Sequence, residues 1–319
     1  MNADDALMAW LLDSDPALRW QVERDLLGAP ESVWAQTRAR VVSEGFGADL
    51  LARQGADGQW EGGAFVPAGW DWSAGEPHPW TATTPVLNDL REWGVPAAAL
   101  AGTAEKLVAA RWEWKGLPFW GGEVDCCINS WTLSNGLWLG ADVDGIVDWF
   151  IEHELDDGGW NCEWVNGATV SSFHSTLNAL IGLLDYRLAT GDAARVAEAR
   201  SRGEEYLLRR ELFTRLSTGE PFDERAMSLA YPRRWFYNVL AAADYFRAAS
   251  LAGGTAPDPR MERAIELIRA GRQPDGAWLQ GHVVPGGVWI RTDVAAGEPS
   301  KWVTLQAARV LAWWDSARA

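Results

Sequence analysis

The stretch ELDDGGWNCEWVNGATVSSFHSTLNAL, residues 154–180, decides the fold. It begins with a glycine-rich turn that ends at Trp160, passes Cys162 and a polar loop, and reaches His174 at the start of an apolar run. Two weaker copies of the turn occur elsewhere, QGADGQW at 54–60 and RQPDGAWLQG at 272–281. A turn that recurs and leads into a helix each time predicts a repeat architecture.

The composition limits the class of protein. The chain has 319 residues, enough to bury a sizeable core, and its 22 tryptophans fit a repeat that requires one. A net charge of −16 without a basic stripe argues against a nucleic acid as partner. No segment has the length of a transmembrane helix, and the N-terminus MNADDALMAWLLDSD does not read as a signal peptide. With only three cysteines, we expect a cytoplasmic protein with reduced thiols.

The whole chain reads as helical, because no segment shows sustained alternation of apolar and polar residues. The sequence therefore predicts an all-α protein with essentially no sheet. Asp15 and Asp142 are expected to cap the N-termini of two of the helices. The expected helices cover residues 16–27, 31–53, 81–93, 101–112, 126–139, 142–155, 172–190, 195–211, 232–250, 259–271 and 300–315.

The helix after each turn is more apolar than the helix before it, and a helix that is apolar most of the way round is buried. The simplest arrangement is an inner barrel of apolar helices ringed by charged ones. It would form one domain over residues 1–319 with five or six helical hairpins, the hairpin within 1–50 being degenerate. The N-termini of the inner helices would then gather at one end of a central cavity.

The turns QGADGQW, DDGGW and RQPDGAW resemble the QW repeats of the squalene cyclase and protein prenyltransferase superfamily. The resemblance covers most of the chain from about Leu50 onward, and it implies an α/α toroid. In such a turn glycine permits the tight backbone, and tryptophan packs between neighbouring hairpins. Because that fold hosts different chemistries, the resemblance does not by itself assign a function.

A group of metal-binding residue types lies at two of the expected helix starts. Asp125 and Cys127 are two residues apart at one start, and His174 lies at the equivalent place one hairpin later. Asp, Cys and His are sound Zn²⁺ ligands, and three of them leave a fourth position open. Cys162 is an alternative ligand in place of Asp125 or Cys127, whereas Cys126 is expected to be a packed thiol.

The same residues resemble the zinc site of the protein prenyltransferase β subunit. In that family an Asp-x-Cys pair and a His of the following inner helix hold the metal, which implies Asp125, Cys127 and His174 here, with Trp131 downstream as in the family. The structural alternative is a capping Asp125, thiols that act as small hydrophobic groups, and a core His174 bonded to backbone.

The stretch before Asp125 departs from that family. Prenyltransferases carry basic residues there to hold a diphosphate, whereas this chain has PFWGGEV at 118–124. Nothing in the sequence resembles the α subunit that partners those enzymes. Protein prenylation and diphosphate-bearing substrates are therefore not expected.

The leading hypothesis is a zinc-dependent hydrolase or transferase that acts on a small, partly apolar, isoprenoid-like substrate in the cavity. Zinc would activate water or a substrate heteroatom. The catalytic candidates are Asp125 and His174, together with Arg234 and Tyr237 from the stretch that follows Tyr231. An arginine at the cavity mouth could bind an anionic group of the substrate.

Two other classes remain open. A metal-independent cyclase or isomerase would need an acidic motif, and ADVDGIVDW at 141–149 comes nearest, with Gly145 in place of the last acid and Asp142 better suited to capping a helix. The other class is a non-catalytic protein that binds an isoprenoid-like lipid in the same cavity and catalyses no reaction. Metal content separates the zinc enzyme from both.

Overall fold

The computed structural model describes residues 3–317, and these residues are mostly helical. The prediction of an all-α chain is confirmed. The only strands within this range are β1 Trp278–Leu279 and β2 Pro299–Ser300, which pair antiparallel. No helix in the same range is long and apolar enough to cross a membrane. The helices are α1 Ala3–Leu12, α2 Pro16–Asp25, α3 Glu31–Arg40, α4 Gly45–Leu51, α5 Thr83–Glu92, α6 Thr103–Leu107, α7 Cys126–Leu139, α8 Asp144–Glu152, α9 Phe173–Thr190, α10 Ala193–Leu208, α11 Val239–Gly253, α12 Glu262–Ala270 and α13 Lys301–Ser316.

The three repeated turns share one hydrogen-bond pattern around a buried tryptophan. In each copy the indole N–H donates to a carbonyl in the last turn of the preceding helix, ten residues earlier. The backbone N–H of the same tryptophan donates to a threonine hydroxyl at the start of the following helix. The groups are Trp60 with Leu50 and Thr83, Trp160 with Phe150 and Thr176, and Trp278 with Ile268 and Thr304.

This pattern explains why the turn recurs. The last carbonyls of a helix have no partner within the helix, and a buried one must find a partner elsewhere. The tryptophan side chain supplies that partner and fills space between the two helices. Each turn therefore fixes the helix before it and the helix after it with one residue.

The glycine two positions before each tryptophan is required by the backbone. Gly158 has a φ of 93°, in the left-handed region that favours glycine. A Cβ at this position would lie 2.9 Å from the carbonyl oxygen of Arg202. Gly58 and Gly276 adopt nearly the same φ, 85° and 91°.

The described residues fall into two compact units. One unit comprises the described parts of Met1–Arg40, Glu205–Val284 and Arg291–Ala319, and it holds α1–α3 and α11–α13. The other comprises Val41–Glu204 and Pro285–Ile290, with α4–α9 and most of α10. The expectation of one domain over 1–319 stays a prediction.

In the second unit, α7 and α9 pack closely against each other. Gly182 on α9 permits this approach, because a Cβ there would lie 3.0 Å from the Ser130 hydroxyl of α7. That hydroxyl donates to the carbonyl of Asn178 on α9. Both helices are therefore held at a fixed register, and their N-termini lie on the side where the candidate site forms.

The predicted bounds of two helices are wrong. The helix expected over 31–53 is divided into α3 and α4, because Gly45 adopts a left-handed φ of 62°. The helix expected from Pro232 begins only at Val239, where Asn238 accepts a bond from the N–H of Ala241. Arg234 before it has a φ of 56°, which a helix cannot contain.

Smaller differences occur at other helix ends. The helix expected over 101–112 is reduced to α6, and the one expected over 142–155 is reduced to α8. Asp142 does not occupy the N-cap of α8, which is Val143; its carboxylate accepts a bond from the N–H of Asp144 instead. Asp15 caps α2 as predicted, through the N–H of Ala17.

Candidate functional site

Two of the three thiols meet where α7 begins. Cys127 lies in the first turn of α7, and Cys162 begins the 3₁₀ turn Cys162–Asn166 that precedes α9. Their Sγ atoms are 3.6 Å apart although 35 residues separate them in the chain. Cys127 is buried and Cys162 is half-buried, so the pair is approached from the side of Cys162.

The position of Cys162 is fixed by the start of α9. Its backbone N–H donates to the Ser175 hydroxyl at 3.0 Å, and that hydroxyl lies 3.3 Å from the Cys162 sulfur. Ser172 caps α9 by accepting from the N–H of Ser175, which holds Ser175 in place. The cap of α9 thus also positions the thiol.

A second bond ties the same turn to the chain before α7. The indole N–H of Trp164 donates to the carbonyl of Val124 at 2.8 Å. Trp164 in turn packs edge-on against His153, whose ring is stacked on Trp149 with centroids 4.3 Å apart. His153, to which the sequence assigned no role, therefore supports the turn that carries Cys162.

Cys127 has its own polar neighbour on α9. The side-chain amide of Asn178 lies 3.3 Å from the Cys127 sulfur and also donates to the carbonyl of His174 at 2.8 Å. An amide N–H directed at sulfur stabilises a thiolate better than a thiol. Asn178 therefore partly offsets the burial and the contact with Cys162 that raise the pKa of Cys127.

The three thiols behave electrostatically as one group. Hydrogen bonding from the Cys126 and Cys127 thiols, together with Ser175, lowers the pKa of Cys162, although burial opposes this. The same contact with Cys162, together with burial, raises the pKa values of Cys126 and Cys127. The cluster thus favours one negative charge, carried by Cys162, over several.

Asp125 occupies the N-cap position of α7 but makes no capping bond with its side chain. Burial, followed by the negative charge of Cys162 and of Glu123, raises the pKa of Asp125 to about 7. Its backbone N–H donates to the Glu123 carboxylate at 2.8 Å. The alternative role of Asp125 as a helix cap is therefore not realised, and its carboxyl is left near the thiols.

His174 is the second residue of α9 and is half-buried. Over residues 3–317, no three His, Cys, Asp or Glu side chains are arranged to hold a metal ion as they stand. The structure brings together Cys127 and Cys162 and places Asp125 beside them. The membership of His174 in a metal site stays a prediction.

Arg234 and Tyr237 lie in the other compact unit. The Arg234 side chain is buried, and the Tyr237 phenol is buried and donates to the carbonyl of Leu212. Burial raises the pKa of Tyr237 well above its ordinary value. Within its own unit Tyr237 is a packed residue whose hydroxyl is bonded to backbone.

The sequence missed an aromatic cluster in the second unit, which consists of Phe65, Trp72, His78, Trp80 and Trp131. The His78 ring lies 4.3 Å from Trp80 and 5.2 Å from Phe65, measured between centroids, and Phe65 contacts Trp131 at 6.3 Å. Trp131 follows Cys127 by four residues on α7, so the two share a helix face. The four-residue spacing of Cys127 and Trp131 was the sequence signal that an aromatic side chain lies beside the thiol.

Comparison with known proteins adds little. No protein-family profile matches the chain, and no curated protein matches it. Among solved structures it is similar to a protein from Actinoplanes at 15% sequence identity, with 96% of this chain and 91% of that chain covered. The TM-score of 0.44 is too low for this likeness to support an argument about function.

Proposed function

We propose that the protein is a zinc-dependent enzyme whose site lies where α7 and α9 begin. Cys127 and Cys162 would supply thiolate ligands, and Asp125 and His174 are the candidates for the remaining protein ligand. The observation that carries the proposal is the 3.6 Å separation of the two sulfurs. Zinc bound there would acidify a water molecule or hold a substrate heteroatom.

The sulfur separation fits one shared ion. Two thiolates at about 2.3 Å from a tetrahedral zinc are about 3.8 Å apart. The lowered pKa of Cys162 favours the thiolate form that zinc requires. This pairing gives Cys162 a larger role than the sequence did, since there it was the alternative to Asp125 or Cys127.

The surroundings favour a partly apolar substrate without a diphosphate. The aromatic cluster continues along the face of α7 that carries Cys127, which provides an apolar wall. Glu123 and Glu163 contribute negative charge at Asp125, which would repel a phosphate group. The aromatic residues would position an apolar substrate, and the acidic residues would exclude phosphorylated compounds.

We also propose that the helices form an α/α toroid. The three tryptophan turns support this arrangement, because each one joins an outer-type helix to a more buried one by the same bonds. A repeat that fixes successive helices identically favours a closed or solenoid architecture. An experimental structure that shows the order of the helices tests it.

The cyclase alternative receives less support. Asp144 is 69% exposed at its side chain and is paired with Arg195 at 3.2 Å, so it is not a buried acid poised to protonate an alkene. A non-catalytic lipid-binding protein would share the aromatic wall and lack the metal. Metal binding therefore separates the leading proposal from both alternatives.

Cobalt substitution tests the proposal at the level of ligands. Co²⁺ bound by thiolates gives a near-ultraviolet charge-transfer band, which we expect on titration of the reduced protein. Cys127→Ser and Cys162→Ser should each weaken the band and the affinity, whereas the control Cys126→Ser, at a thiol that is not a proposed ligand, should retain the band. A band that is absent from the wild type, or retained in full by Cys162→Ser, would refute thiolate ligation by this pair.

A further inference from the structure

We propose that Cys127 and Cys162 are also a redox-active dithiol, which a hydroperoxide converts to a reversible disulfide. The inference rests on the geometry of the two thiols and does not depend on zinc. Their Sγ atoms are 3.6 Å apart in the reduced protein, and both are free thiols. The Cys126 thiol also hydrogen-bonds with Cys162, so the pairing of Cys162 with Cys127 is a specific expectation that the experiment tests.

Forming the bond requires only a short movement. A disulfide joins sulfurs at about 2.05 Å, so the two atoms must approach by about 1.5 Å. Cys127 is held in α7, whereas Cys162 begins a short 3₁₀ turn at the surface. We therefore assign the movement to the turn, within the range of ordinary loop motion.

The two thiols differ in their access to an oxidant. Cys162 is half-buried, and the Ser175 hydroxyl donates toward its sulfur at 3.3 Å. Cys127 is buried behind it, beside the Asn178 amide. Cys162 is therefore the thiol that meets the peroxide, and Cys127 is the thiol that resolves the product.

Disulfide formation requires a hydroperoxide as its only oxidant and takes place in two steps. The Cys162 thiolate attacks the terminal peroxide oxygen, the O–O bond breaks, and sulfur is oxidised to a sulfenic acid while the peroxide leaves as an alcohol or water after taking a proton. Cys127 then attacks the Cys162 sulfur. The S–O bond breaks, and the hydroxide leaves as water with the Cys127 proton.

Reversal needs a dithiol reductant. One of its thiolates attacks the disulfide and forms a mixed disulfide, and its second thiol closes a new disulfide in the reductant. Both protein thiols are regained with their protons. The cycle therefore consumes one hydroperoxide and one dithiol and leaves the protein unchanged.

Cys126 provides the matched control, because it is the neighbouring buried thiol on α7 and, like Cys127, hydrogen-bonds with Cys162. The full-length reduced protein would be treated with a small excess of hydrogen peroxide, quenched with an alkylating reagent and mapped by peptide mass. We expect loss of two of the three thiols, a linked pair of peptides that contain Cys127 and Cys162, and restoration by dithiothreitol. Cys126→Ser should give the same linked pair.

The variant Cys127→Ala should stop the reaction at the sulfenic acid of Cys162, which dimedone traps. Circular dichroism of each variant confirms that it is folded. A disulfide between Cys126 and Cys162, a disulfide between chains, or unchanged thiols in folded wild-type protein would overturn the inference. Added Zn²⁺ separates the two proposals. If zinc protects the two thiols from peroxide, the metal site is supported. If the thiols are oxidised and the protein binds no zinc, the redox-active dithiol is supported and the zinc site is refuted.

Discussion

The indole Nε1 of Trp160 lies 2.8 Å from the carbonyl oxygen of Phe150, ten residues earlier in the chain. Phe150 belongs to the last turn of α8, so the tryptophan satisfies a carbonyl that the helix leaves without a partner. The same relationship occurs twice more, at Trp60 and Trp278. It makes the tryptophan of each turn a structural requirement rather than a part of the site.

Replacing Trp160 by phenylalanine should show this directly. The change keeps an aromatic ring but removes the N–H, which leaves the Phe150 carbonyl buried and unpaired. We expect a loss of about 1–3 kcal/mol in the free energy of unfolding from the unpaired group, with some further loss from the smaller ring. Urea denaturation measures it. The control Trp114→Phe, at a side chain that is 55% exposed, should change stability little, and equal losses in both would contradict the account.

Two glycines allow a matched test of the turn backbone. Gly158 has a left-handed φ and no room for a Cβ, whereas Gly145 lies in α8 with nothing within 4 Å of an added Cβ. Gly158→Ala should destabilise the protein by more than about 1 kcal/mol, while Gly145→Ala should stabilise it by up to about 1 kcal/mol. Thermal melts give both signs. A stable Gly158→Ala variant would show that the turn can adopt another backbone conformation.

The first unit contains a buried ion pair that should dominate its stability. Arg309 on α13 donates to Asp244 on α11 and, at 3.0 Å, to Asp25. Burial opposes the charge of Asp244, but Arg309 and Arg247 hold the pKa of that carboxyl at about 2. Arg309→Met should cost about 3–5 kcal/mol, because it removes the buried cation shared by two carboxylates and leaves Asp244 with Arg247 alone and Asp25 with Arg24 alone.

The exposed pair Arg269–Asp315 is the control for this change. Its side chains are 41% and 55% exposed, and Arg269→Met should cost less than about 1 kcal/mol. Chemical denaturation of the two variants under the same conditions compares them. A similar small loss in both would mean that the Arg309 network contributes specificity without net stability.

Asp293 should make stability depend on pH in an unusual direction. Burial raises its pKa from 3.8 to about 6, although bonds from Ser300 and the Val294 N–H partly offset this. The folded protein therefore holds a proton that the unfolded chain releases, and the contribution of this group to stability falls as pH rises from about 4 to about 6. Unfolding free energies across that range should fall less steeply in Asp293→Asn. The exposed control Glu220→Gln should keep the wild-type slope, and an unchanged slope in Asp293→Asn would exclude this assignment.

Much of the fold could be predicted because its signals are local. The start of α9 is marked by the Ser172 cap, and the three turns are marked by glycine and tryptophan at fixed spacing. The late start of α11 could not be predicted, since the left-handed backbone of Arg234 has no sequence signal at a non-glycine residue. The division between α3 and α4 was signalled only by Gly45, which an uninterrupted helical pattern conceals.

The candidate site, like the fold, could be predicted from the sequence only in part. The Asp125-x-Cys127 spacing at a helix start was readable, and so was the position of Cys162 just after the turn. The proximity of Cys162 to Cys127 was not readable, because it depends on the bond from Trp164 to Val124 and on the contact of Cys162 with Ser175. These contacts join segments that are distant in sequence and leave no periodic pattern.

The zinc content of protein purified without a chelator tests the central claim most directly. Elemental analysis should find stoichiometric zinc in the wild type and in Cys126→Ala, and little or none in folded Cys127→Ala or Cys162→Ala. The reason is that the 3.6 Å sulfur pair supplies two ligands, so removing either leaves too few. Fully reduced wild-type protein that contains no zinc and takes up none when Zn²⁺ is added would contradict the account.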